Sequence, residues 1–135
     1  MQLYKNILVT MDCSPVDDRI LEHVAQLALQ NRSKVFLLHV VHSHTLDEHR
    51  ALTRNADILL AQGCQKLVDQ GIDAEVVQRS GEPDEQILEE IQNGDYDLVA
   101  MATHGHSTLG QILFGSISKT LKQKISIPLL LLGPE

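Results

Sequence analysis

Apolar residues along this chain fall into five short runs, separated by longer stretches in which they recur at every third or fourth position. The first run, Asn6-Ile7-Leu8-Val9-Thr10, is nearly all apolar, as a strand buried on both faces should be. Val35 to Val41 reads the same way. Ala74 to Arg79 is more polar and alternates, which suits a sheet edge. Asp97 to Ala102 and Ile127 to Leu132 complete the set. The intervening stretches have helical spacing: Ile20, Val24, Leu27 and Ala28; then Leu52, Ala56, Leu59, Leu60, Cys64, Leu67 and Val68; then Ile87, Leu88 and Ile91. A last helix is expected to run through Lys124.

Punctuation between the runs agrees with this order. Asp12-Cys13-Ser14-Pro15 breaks the first strand, and Ser14 or Asp17 is expected to cap the first helix. Gly71 stands just past the last periodic residue of the second helix. Pro83 suits a first helical turn, where Asp84 and Glu85 meet the positive end of the dipole. Asn93-Gly94-Asp95 stops that helix. Strand and helix therefore alternate from end to end. The expected fold is α/β, an open five-stranded parallel sheet with helices on both faces and right-handed crossovers, in one domain over residues 1–135. Such sheets bind ligands beyond the carboxyl ends of their strands, where the strand order reverses. With order 3-2-1-4-5, Asp12 and the His104-Gly105 loop flank one crevice.

Composition narrows the partners. Of the 135 residues 43% are apolar and only 3% aromatic, so Leu, Ile, Val and Ala must fill the core. Eleven Lys and Arg against 18 Asp and Glu give a net charge of −7, poorly suited to non-specific nucleic-acid binding. Cys13 and Cys64 lack disulfide or metal-type spacing and read as free thiols of a reducing compartment. Residues 1–10 lack the pattern of a secretory leader, and no apolar run approaches a membrane span. A soluble, cytoplasmic protein is expected.

The segment after the fourth strand carries the chemistry. It reads Thr103-His104-Gly105-His106-Ser107-Thr108-Leu109-Gly110, and reaches Gly115-Ser116-Ile117-Ser118. Glycines admit a ligand close to the backbone, and a helix opening near Gly115-Ser116 aims free N–H groups at an anion. Periodicity offers a rival, one helix through Leu109, Ile112, Leu113 and Ile117 with Gly115 inside it. The cost of that Gly, about 1 kcal/mol relative to Ala, favours a helix that starts at Ser116. His42, His44 and His49 show no zinc-protease spacing and read as a solvated loop, so no metal site is assigned. His39, inside an apolar strand, reads as a hydrogen-bonded structural residue, and Cys13 as an inert small one.

Gly105, Gly115 and Ser116 reproduce the spacing of the Gly-x2-Gly-x9-Gly-Ser/Thr motif, and here the chain resembles the nucleotide-binding universal stress proteins. Asn6-Ile7-Leu8-Val9, Asp12, Leu37-Leu38-His39-Val40, Gly81-Glu82-Pro83 and Ile127-Pro128-Leu129-Leu130 carry the resemblance along the whole chain. It implies flavodoxin-like layering of the adenine nucleotide alpha hydrolase-like type, and ATP bound where strands one and four end, with Mg2+ as its companion. It places Asp12 near the adenosine, Thr10 near the ribose with Met11 in the same loop, the Val40 backbone against the adenine, and Met101 beside the base. Gly105, Gly115, Ser116, Ile117 and Ser118 match the phosphate stretch, with His104 and His106 flanking it. It also implies a homodimer through the last strand, Ile127 to Leu132. One position departs from the pattern: Ala102 stands where the motif has its first Gly. An ordinary strand conformation there tolerates the methyl group, whereas a positive φ would strain it.

No Gly-Lys-Ser/Thr of the Walker type is present, and no acid/base pair is evident, so binding is expected rather than catalysis. Three readings stand: a nucleotide-dependent stress-response sensor or regulatory module, a family member without ATP that acts by protein interaction, and a slow ATPase.

Overall fold

The computed structural model describes residues 2–102 and 117–133. Five strands form one parallel sheet: β1 Asn6–Thr10, β2 Lys34–Val41, β3 Ala74–Ser80, β4 Leu98–Ala102 and β5 Leu129–Leu132, in the order β3-β2-β1-β4-β5. The expected fold class and strand order are both found. The polar third strand is an edge, and the two most buried strands, β1 and β4, lie side by side inside the sheet.

Helices α1 Val16–Asn31, α2 Leu46–Asp69 and α3 Pro83–Asn93 connect the strands, and a fourth helix, α4, covers 117–124. Because side chains alternate across a strand, each strand feeds two separate cores. Ile7 and Val9 pack under α1 and α2 with Val35, Leu37 and Ala100. Leu8 packs on the other face with Leu38, Val99 and Met101, beneath Ile87 and Ile91 of α3 and Leu121 of α4.

Helix ends follow their punctuation with one exception. Gly71, at φ 86°, closes α2: its N–H bonds to the Val68 carbonyl, and that of Ile72 reaches back to Leu67. This is the Schellman arrangement, and it needs a left-handed residue at that place. Pro83 opens α3 as expected. At α1, however, neither Ser14 nor Asp17 caps the helix; Pro15 occupies the cap position, and the Asp17 side chain turns back towards the preceding loop. Two α2 positions also depart from expectation. Leu52 and Val68 are exposed, whereas Gly63 is buried against Leu21 and Leu37, which lets α1 and α2 approach closely. The final strand begins at Leu129 rather than Ile127, and the Pro128 carbonyl instead accepts from the Val99 N–H.

Candidate functional site

The carboxyl end of β1 forms a notch. Thr10 pairs with Leu38, yet β2 continues beyond that level to Val41. The Met11 N–H still reaches the Leu38 carbonyl at 2.7 Å, after which the chain leaves the sheet. Parallel strands direct the N–H and C=O of alternate residues to the same side. Val40, two residues past Leu38, therefore turns its backbone groups towards β1, beyond the point where β1 ends. That is an open hydrogen-bonding edge of the kind a flat heterocycle can use, and it lies where the family resemblance implies the adenine.

Thr10 supplies a second feature. It is 5% exposed, and its Oγ1 is buried with no hydrogen-bond partner among the described residues, as is Thr53 Oγ1 of α2. Two residues on from Leu8, it faces the α3 and α4 side of the sheet, as do Val40, Met101 and Ile117. A buried hydroxyl without a partner costs about 1–3 kcal/mol, so a native protein rarely leaves one unused.

Beyond Thr10 the loop is tightly held. The His39 Nδ1 lies 2.7 Å from the Met11 carbonyl, and since a carbonyl only accepts, Nδ1 must carry the proton. This is the hydrogen-bonded structural role expected for His39. Cys13 has a left-handed backbone with φ 57°. The two Asp17 oxygens accept the N–H groups of Asp12 and Cys13 at 2.8 and 2.7 Å. The Ser14 hydroxyl donates to Asp12 Oδ2 at 2.7 Å, leaving Oδ1 without a partner among the described residues. Asp12, in the loop that follows β1, thus keeps one carboxylate oxygen able to accept a further hydrogen bond.

Electrostatics here are set by burial. It pushes the Asp17 carboxyl up to about 6, against the backbone N–H bonds that lower it. Burial, then the charges of Asp17 and Asp12, push the Cys13 thiol up to about 12, so it stays protonated and unreactive at neutral pH. Cys13 and Cys64 are both free.

The expected site residues separate into three groups. Thr10 ends β1, Val40 lies two residues beyond its partner Leu38 on β2, and Asp12 follows in the loop after β1. Met11 and Ala102 point their side chains into the opposite core, beneath α1, while Met101 and Ile117 are buried on the Thr10 face. Ala102 is an ordinary β4 residue paired with Leu132, and its φ is not positive, so the methyl group causes no backbone strain. Ser118 lies in α4. His104, Gly105, His106, Gly115 and Ser116 lie outside the described residues. Asp17 is the residue that sequence reasoning missed; an acidic residue in a first helical turn reads as a cap or a dipole partner, and only the folded loop brings it onto Asp12.

Two other features were weighed. A cavity of about 320 Å3 between α1 and α2 is lined by Met11, Cys13, Asp17, Leu59 and Gly63, and the Lys66–Asp18 ion pair spans it at 3.1 Å. It lies on the far side of the sheet from Thr10. In the His-rich stretch, the rings of His42 and His44 meet edge to face at 5.3 Å, but no group of three candidate ligands assembles for a metal among the described residues. Nor, among them, is any helix long and apolar enough to cross a membrane.

Comparison with known proteins decides the lineage, since the model of the universal stress protein family matches residues 3–133. The chain belongs to that family. Among universal stress proteins, YxiE of Bacillus subtilis is 24% identical over 146 residues, covering 96% of this chain and 99% of its own. The solved structure of the Methanocaldococcus jannaschii universal stress protein MJ0577 superposes with a TM-score of 0.83 at 26% identity, covering 98% of each chain. An Arabidopsis thaliana member with AMP bound shares the fold, with a TM-score of 0.72 at 18% identity over 97% of this chain and 92% of that one. Other solved universal stress proteins of the same fold hold cAMP and dAMP.

Proposed function

We propose that this universal stress protein binds an adenine nucleotide, ATP, in the notch where β1 and β4 end, and acts as a dimeric sensor or regulatory module of the stress response. The observation that carries the reading is the buried Thr10 hydroxyl, without a partner among the described residues, at the end of a β1 that stops short of Val40 on β2. These groups fit an adenosine: a backbone edge for the base, and a hydroxyl for the sugar. Related proteins of the same fold hold AMP, cAMP and dAMP, which supports an adenine nucleotide as the ligand class. Phosphates, with Mg2+ as counterion, fall to the motif residues Gly105, Gly115 and Ser116. Bound nucleotide would supply charge there, not chemistry: the sequence has no Walker lysine to stabilise a transferred phosphoryl group, so we assign no enzymatic activity.

The dimer is assigned to β5, an apolar edge strand whose Leu131 is 36% exposed; pairing there would cover an edge prone to uncontrolled association. Free cysteines suit a cytoplasmic setting.

Equilibrium titration with ATP tests the reading, and Thr10→Val sharpens it. Removal of an unpartnered hydroxyl at constant shape should raise the unfolding free energy by about 1 kcal/mol. The same change should weaken ATP about 3- to 10-fold through loss of one hydrogen bond. No saturable binding by the wild-type protein would sink the nucleotide reading; unchanged affinity in Thr10→Val would remove Thr10 from the site.

A further inference from the structure

We infer that Asp17 is a positioning residue of this nucleotide site, its carboxylate holding the turn after β1 in the shape that presents Asp12 to the notch. The inference rests on the nucleotide reading above. Both Asp17 oxygens are committed, one to the Asp12 N–H and one to the Cys13 N–H, at 2.8 and 2.7 Å. Asp17 is only 9% exposed, so water competes weakly for those bonds. One residue it grips, Cys13, has φ 57°, in the left-handed region that residues with a Cβ adopt uncommonly. Flanking bonds are arranged around the same turn: His39 holds the Met11 carbonyl, and Ser14 holds one oxygen of Asp12. Asp17 itself points into the loop rather than the notch. It acts through Asp12.

Holding two N–H groups requires the ionised form, because a neutral carboxyl turns its O–H towards one of them. Burial brings this ionisation to about 6, within reach of ordinary pH. Among the described residues, no cation is a cause of the Asp17 shift. Asp12 raises it further, and the Cys13 thiol is protonated. From α2, Lys66 lies across the cavity but pairs with Asp18, the neighbour of Asp17 on α1. Acidification through about 6 should therefore release the turn and weaken nucleotide binding. Stability runs the other way. A carboxyl whose folded-state value is raised contributes stability that is fully present below its unfolded value of 3.8 and lost as pH rises through about 6. A residue with a purely structural role would move affinity and stability together; Asp17 should move them apart.

The test pairs two measurements. In amide NMR of the ligand-free full chain, the Asp12 and Cys13 resonances should shift together between pH 8 and 5 with a midpoint near 6. In ATP titrations at pH 7.5, Asp17→Asn should bind about tenfold more weakly with an unfolding midpoint no lower than wild type. The ratio of the two dissociation constants should shrink towards one as pH falls to 5.5, a comparison in which the ionisation of ATP itself cancels. Wild-type affinity in Asp17→Asn, a ratio independent of pH, or amide shifts without that midpoint would each overturn the positioning role. Absence of ATP binding by the wild type would overturn the nucleotide reading and the positioning role with it; binding by the wild type with affinity undiminished in Asp17→Asn would overturn the positioning role alone.

Discussion

Leu8→Ala is expected to lower the free energy of unfolding by about 3–4 kcal/mol, near the upper part of the range for buried Leu truncations. Leu8 is wholly buried in a strand that has neighbours on both sides, and its side chain meets Leu38, Val99 and Leu121 under α3 and α4. The backbone around it cannot collapse into the vacated space, because β1 is bonded to β2 and β4 along its length. Most of the cavity should therefore persist. Chemical denaturation measures the effect, and a loss below about 1 kcal/mol would mean that this layer repacks freely. Thr10 lies two residues along the same face, so the packing that holds Leu8 also supports the notch.

Gly94→Ala should destabilise by about 2–3 kcal/mol, reversing the usual modest gain from replacing a glycine. Gly94 has φ −94°, which any residue can adopt, so the expected cost is steric. A Cβ there would lie against the Tyr96 ring, 2.8 Å from its Cδ2, and 2.9 Å from the Glu90 carbonyl oxygen. The ring cannot simply swing away. Its hydroxyl donates to Glu90 Oε2 at 2.6 Å, and its edge meets Phe36 at 5.2 Å between centroids. Arg79 fastens the same Glu90 from β3 at 2.9 Å. In a Tyr96→Ala background, Gly94→Ala should cost markedly less than in the wild type. A stabilised Gly94→Ala would show that Tyr96 does not pack on the helix end.

Gly94 also shows where the sequence stops being informative. Asn93-Gly94-Asp95 reads correctly as a helix stop, but nothing in it announces the ring of Tyr96. Leu52 and Val68 fit the periodicity of α2, yet α2 buries a narrower stripe, with Gly63 at its point of closest approach to α1. Apolar spacing counts candidates for a face; it cannot say how wide the neighbouring surface is.

At the candidate site the division is similar. Asp12 stood out from its place at a strand's carboxyl end in a parallel sheet, whereas Thr10 and Val40 were singled out only by the family resemblance. Asp17 was legible only as a helix-start residue, because its partners lie around a turn whose shape depends on the fold. The question raised by Ala102 needed its backbone conformation, which β4 supplies.

The amino-acid sequence by itself determined the alternation of strands and helices and the polar edge strand β3, which follow from local periodicity and polarity, and it pointed to the family through the spacing of its glycine motif. Only the tertiary structure decided that β2 outruns β1, that Thr10 keeps a hydroxyl without a partner among the described residues, and that Asp17 grips the loop before it. Each depends on the register between distant segments and on burial, which raises the cost of every unpaired polar group and turns an ordinary carboxylate into a strut for the site.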